Sequence, residues 1–144
     1  MALLKKEIHE GHEISGKLKH LTEERVLNFS GGYPKGADWP SKNIHTDIDF
    51  AHKCGLKTRA VSAAMFVGFI TEMMVDNFGE EWLCNGQIDL KFISMVDVGQ
   101  KVIAKAVVKS KQVEQSRVKC NLDVWMETDS GDRAVVGEAM GYID

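Results

Sequence analysis

The segment from Arg59 to Gly79 constrains this chain more than any other, because apolar residues there occupy every face of a helix for about four turns. A helix that is apolar all round has no face to give to water and must be enclosed. The spacing therefore predicts a long buried central helix over Arg59–Asn77 and requires the rest of the chain to supply a wrapper. The most apolar part, Ala60–Met74, is shorter than the ~20 residues a membrane span needs and is interrupted by Thr71 and Glu72. The expectation is a core helix and no membrane partner.

The wrapper is written after Phe78. Ile88, Leu90 and Phe92 alternate with Gln87, Asp89 and Lys91; Val102, Ala104, Ala106 and Val108 alternate with Lys101, Ile103, Lys105 and Lys109. Val118, Cys120, Leu122, Val124 and Met126 alternate in the same way with Arg117, Lys119, Asn121 and Asp123. Period-two alternation is the mark of a strand with one dry face. A fourth strand, Ala134–Tyr142, is interrupted by Gly137 and Gly141, which inside a strand signal a bulge or a close backbone approach. With one more strand from the first twenty residues, the count is an antiparallel sheet of about five strands around one helix, an α+β class. The chain of 144 residues, 44% hydrophobic and 27% charged, is read as a single domain over 1–144, large enough to enclose a core without staples.

The first half carries shorter elements. Thr22 with Glu23 and Glu24 behind it signals a helix start, and Val26, Leu27 and Phe29 give that helix an apolar face before Gly31 and Gly32 stop it. Thr46–Cys54 reads as a second short helix with Ile48 and Ala51 facing in. Between them, Ser30–Asn43 holds three glycines among them Gly31, Gly32 and Gly36, and both prolines, and so reads as a long loop of the kind that carries function.

Charge and cysteines narrow the function class. A net charge of −3 argues against a nucleic-acid partner, which would need a basic face to displace counterions. Cys54, Cys84 and Cys120 are odd in number and form no C-x-x-C pair, so neither a disulfide framework nor a zinc ribbon is expected. Reduced thiols and an N-terminus with no apolar signal region point to the cytoplasm. No metal site is expected either, since His9 and His12 have no third ligand in sight.

Histidine exchanges protons most readily near neutral pH. His9 and His12 sit in a charged N-terminus, His20 ends the basic run from Lys17, and His52 lies on a charged helix face. His45 differs: it stands where the Gly/Pro-rich loop meets a helix, a junction that holds the backbone while the side chain faces a cleft. Asp47 and Asp49, just after it, are read as complements to a helix N-terminus. Tyr33 and Trp39 on the loop either line a pocket or pin the loop to the core.

The run Lys42–Ala51, the small residues Val61–Ala64 ahead of Met65, and the strand and turn from Leu90 to Val102 together resemble the MaoC-like hydratases and dehydratases. That family's pattern is an Asp, then Asn-Pro-x-His, a small-residue turn opening a central helix, and a KF-x-x-PV-x-x-GD strand and turn. The resemblance implies the hot-dog fold and a hydro-lyase that interconverts 2-enoyl and 3-hydroxyacyl thioesters. Coenzyme A or an acyl carrier protein would then be part of the substrate, with no separate cofactor. His45 matches the family histidine. The thioester oxygen would meet backbone N–H groups around Ser62, Ala63 and Ala64, where helix-start amides converge.

Three positions depart from the pattern. Pro40 stands where the family carries its catalytic Asp, so Asp38, seven residues before His45, is the nearest upstream carboxylate and the expected partner. Asn43 replaces the family proline and is a candidate for orienting the water, and Ala63-Ala64 replaces a His-Gly pair. Two alternatives stay open: a hot-dog acyl-CoA thioesterase using Glu72 or Asp76, and a degenerate subunit that binds acyl thioesters without turning them over. Lys101, Lys105 and Lys109 form a basic row, read as a solvated face. A single sheet of this kind leaves an edge and an incompletely covered helix, so at least a homodimer is expected.

Overall fold

In the computed structural model, which describes residues 4–144, the first strands are short: β1 (Glu13–Ser15) and β2 (Lys19–His20). Helix α1 (Glu23–Ser30) follows, its first turn closed by the Thr22 hydroxyl, which accepts from the Arg25 N–H at 3.3 Å. Helix α2 (Ile48–Lys53) starts at Asp47, whose carboxylate accepts from the Phe50 N–H at 2.7 Å. The central helix α3 (Ala63–Phe78) ends at Gly79, where φ is +67°, a left-handed turn that glycine enters without strain. A further short helix, α4 (Glu80–Asn85), then leads into β3 (Gln87–Phe92), β4 (Lys101–Glu114), β5 (Arg117–Thr128) and β6 (Arg133–Ile143).

The strands form one antiparallel sheet in the order β1-β4-β5-β6-β3, with β2 also on β4. Its dry face is the predicted one: Val102, Ala104, Ala106 and Val108 on β4, and Val118 through Met126 at every second position on β5, are buried. They close over Met65, Phe66, Ile70, Met73, Met74 and Phe78 of α3. Gly137 is a close approach rather than a bulge, since a Cβ there would fall 2.1 Å from the Asp89 carbonyl oxygen of β3.

The expected count of about five strands holds along β1-β4-β5-β6-β3, and the sixth, β2, arises because the N-terminal segment breaks at Gly16–Leu18 into two pieces, both registered on β4. Other expectations need correction. The central helix begins at Ala63 rather than Arg59, since residues 59–61 are drawn into a ribbon with 96–98: Val61 N–H donates to Val96 O at 2.8 Å. That helix is not enclosed on all sides by this chain. Ala63, Ala64 and Gly68 are exposed, while Val67, Thr71 and Val75 are half-buried, because the sheet curls over one side only. Ile48 points outward, Phe29 is 52% exposed, and α4 was not visible because its Trp82 and Leu83 pair gives too short a periodic run.

Candidate active site

The loop between α1 and α2 is irregular but braced. Asn43 accounts for much of this: its side-chain amide donates to Ser30 O (2.8 Å) and Ser41 O (3.3 Å), and its Oδ1 accepts from the His45 N–H at 2.9 Å. Thr46 adds a second brace, its hydroxyl accepting from Asn43 N–H and donating to Ser41 O. Arg59 ties the far side, its guanidinium donating to Thr46 O and to Glu23 of α1.

This bracing aims the His45 ring at the opening of α3. Its Nδ1 lies 2.6 Å from the Ala60 carbonyl oxygen, two residues before the Ser62 N-cap. A carbonyl only accepts, so Nδ1 carries a hydrogen, and it is the neutral ring that leaves the lone pair on Nε2. The Ala60 N–H in turn donates to Ile44 O at 3.3 Å, so loop and helix opening are stitched from both directions. Ser62 makes no side-chain cap bond, and Ala63 and Ala64 beside it are exposed, which leaves first-turn amides open to a ligand oxygen.

The structure thus brings His45, Ser62, Ala63 and Ala64 together and leaves other expected residues apart. Asp38 is exposed and makes no hydrogen bond or ion pair among the described residues, whereas its neighbour Trp39 turns its indole inward. A Cβ on Gly31 would sit 2.9 Å from that indole nitrogen, so Trp39 pins the loop to the end of α1. Tyr33 is 73% exposed. Asn43 has both amide hydrogens and one acceptor position of its Oδ1 taken by the loop itself, so the side chain braces the loop.

The other candidates are accounted for by structure. Glu72 is held by Lys19 and Lys17, and Asp76 by Lys17 at 3.2 Å. The hydrogen bond from Lys19 is the main reason the Glu72 carboxyl lies below its usual range. Asp47 caps α2, and Lys105 and Lys109 pair with Glu127, Asp123 and Glu138 across the outer sheet face. His20 and His52 each bond a nearby backbone carbonyl, Gly99 and Lys57. Among the described residues no group of His, Cys, Asp and Glu is placed to hold a metal, and no helix is long and apolar enough to cross a membrane. What sequence reasoning missed is Ala60, because a backbone carbonyl leaves no side-chain signature.

A six-stranded antiparallel sheet curled over one long helix, with a histidine loop stitched to that helix's opening, is a hot-dog domain. The MaoC like domain family matches residues 36–127, well over half of the chain, and the chain belongs to that family. No curated protein matches it. Among solved structures it is similar to the MaoC-like dehydratase from Rhodospirillum rubrum, with a TM-score of 0.76 and 12% identity over 99% of this chain and 97% of that one. The (R)-hydratase from A. caviae involved in PHA biosynthesis gives 0.67 and 19%, covering 97% and 100%. A chain of the ChsH1-ChsH2 complex from Mycobacterium tuberculosis gives 0.70 and 14%, covering 94% and 98%. At these identities the likeness is one of fold.

Proposed function

We propose that this chain is a hydro-lyase acting on acyl thioesters, adding water to a 2-enoyl group or removing it from a 3-hydroxyacyl group, with coenzyme A or an acyl carrier protein as part of the substrate. The observation that carries the reading is the 2.6 Å contact between His45 Nδ1 and Ala60 O, which ties the ring to the segment that opens α3 and, in the neutral ring, leaves Nε2 as the base. In the hydration direction Nε2 takes a proton from water, the hydroxyl adds to C3, and the amides of Ala63 and Ala64 receive the charge that develops on the thioester oxygen. The imidazolium then returns its proton to C2, so one group serves both transfers and the books of atoms close.

Loss of the conjugated enoyl-thioester absorbance on adding protein is the direct assay; no loss across short, branched and aromatic acyl chains overturns the proposal. A second reading, a subunit that binds acyl thioesters without turnover, is favoured by one observation: among the described residues no carboxylate bonds the His45 ring. It predicts binding in the same titration with the absorbance unchanged. Thiol release in that cuvette would mark a thioesterase, a reading disfavoured by the lysines that hold Glu72.

The uncovered stripe of α3 and the free edge of β3, with Phe92, Ile93 and Met95 exposed beside it, favour a homodimer completed there. A monomer by light scattering at micromolar concentration refutes that.

A further inference from the structure

Two adjacent residues grip the histidine and both of its chain neighbours. The Ala60 N–H donates to Ile44 O at 3.3 Å, the His45 ring donates from Nδ1 to Ala60 O at 2.6 Å, and the Arg59 guanidinium donates to Thr46 O at 3.3 Å. The tripeptide Ile44-His45-Thr46 is thus held at the carbonyl before the histidine, at the ring itself and at the carbonyl after it. Residues 59 and 60 are fixed in turn from the other side. Val98 N–H donates to Arg59 O at 3.4 Å, Ala60 is bridged to Asp97, and Val61 N–H donates to Val96 O at 2.8 Å. The grip on the histidine is therefore anchored in the ribbon with 96–98.

Of the three contacts, only the one from Arg59 to Thr46 has its donor on a side chain outside the histidine. The Thr46 hydroxyl bonds stay within the loop, from Asn43 N–H and to Ser41 O, so they shape the loop without setting its place over α3. Arg59 Nη1 also donates to Glu23 Oε1 at 3.1 Å, which brings the first turn of α1 into the same clamp. The Arg59 side chain is 17% exposed and that of Glu23 62%, so the anion of this pair stands in water and the pair itself adds little stability. The charged donor on Thr46 O has a different effect: with that carbonyl released, the peptide after His45 can turn, and the ring turns with its backbone.

We propose that Arg59 is the positioning residue of this site: through Thr46 O and Glu23 it sets the aim of the His45 ring. The catalytic consequence rests on the hydro-lyase reading, whereas the clamp on the ring does not.

The test uses Arg59→Met, which keeps an apolar stem and removes both bonds, and Arg59→Lys, whose ammonium keeps the charge one bond short of Nη1. A ring N–H that donates to a carbonyl is shielded from exchange with water, so the native chain carrying isotope-labelled histidine should show a ring N–H proton signal that His45→Ala removes. In Arg59→Met that signal should broaden into exchange while the amide spectrum stays dispersed; in Arg59→Lys it should persist. On a 2-enoyl-CoA substrate kcat should fall about 30-fold or more in Arg59→Met with KM within about threefold, and Arg59→Lys should return to within about fivefold of the native kcat. Arg59→Gln, which stops two bonds short of Nη1, takes the place of the Met variant if that chain folds poorly and should behave as it does. An unchanged ring signal in a folded Met or Gln variant overturns the inference, as does a native spectrum from which His45→Ala removes nothing. A rise in KM at native kcat also overturns it, because Arg59 would then act on the substrate. If no enoyl thioester is turned over at all, the hydro-lyase reading fails and the ring signal alone judges the clamp: lost in Arg59→Met and kept in Arg59→Lys supports it, and kept in both refutes it.

Discussion

Replacing Asn43 with Ala separates a brace from a water-orienting group. The side chain makes two bonds of ordinary length, to Ser30 O at 2.8 Å and from His45 N–H at 2.9 Å, and a weaker one to Ser41 O at 3.3 Å. Each good bond contributes about 1 kcal/mol net, and the site is half-buried, so water relieves part of the loss. The expected cost is about 2 kcal/mol, or roughly 6–10 °C in Tm for a domain of this size. Urea unfolding followed by tryptophan fluorescence gives the number directly, and the same preparations give kcat. Turnover should fall together with stability, because the backbone of His45 loses its anchor and the ring its aim. Asn43→Asp keeps an acceptor for the His45 N–H but sets a carboxylate against the Ser30 carbonyl, so it should be at least as unstable as the Ala variant. If Asn43→Ala unfolds within about 0.5 kcal/mol of the native chain yet loses turnover, the brace argument is wrong and the amide acts on the reacting water.

Two further predictions test the frame. Gly137→Ala places a methyl 2.1 Å from the Asp89 carbonyl oxygen and should detach or shift β3, costing about 1–3 kcal/mol and exposing β3 amides to hydrogen exchange; unchanged protection over Gln87–Phe92 would refute the close approach. Because Lys19 holds the Glu72 carboxyl below its usual 4.5, the pair stabilises the fold above that value and the benefit is lost as pH falls through the lowered folded value. The Tm gap between the native chain and Glu72→Gln should therefore be present at pH 7 and close toward pH 3, and a gap that widens in acid contradicts the pairing.

The legible parts of this structure are those fixed by periodicity and local chemistry. Strand alternation from Val102 to Val108 and from Val118 to Met126 marked the buried face because one sheet face is dry, and Thr22 marked the start of α1 because its hydroxyl is the first acceptor for orphan amides. The same logic misplaced the start of α3, since residues 59–61 have helical composition but are claimed by the ribbon with Val96 and Val98, a long-range pairing that no local pattern encodes. It also overstated the burial of α3, because apolar character on every face says that the helix is covered without saying by which chain. At the site, His45 was found from its place at a loop–helix junction. The role of Asn43 could not be read, as the partners of its amide are the carbonyls of Ser30 and Ser41 and the N–H of His45, set by how the loop closes.

Most carboxylates near the site are held elsewhere, which limits the ionisable groups left for the proposed reaction. Asp47 is spent on the first turn of α2, Glu72 and Asp76 on lysines, and Asp123, Glu127 and Glu138 on the outer sheet face. Asp38 remains, exposed and seven residues from His45, on a loop whose next residue is fixed inward by packing against Gly31. Asp97 lies opposite Ala60 across an antiparallel bridge, but it too is exposed, and its side chain bonds nothing among the described residues. On the proposed hydro-lyase reading His45 is then the proton-transfer group, and its ring bonds the Ala60 carbonyl. His45→Ala should lower turnover by on the order of 10²–10⁴, the range general acid–base catalysis supplies, while Asp38→Asn and Asp97→Asn should each change it by less than about tenfold. A loss of 10²-fold or more in either Asp variant would place a second acid at the water and require the loop to move when substrate binds.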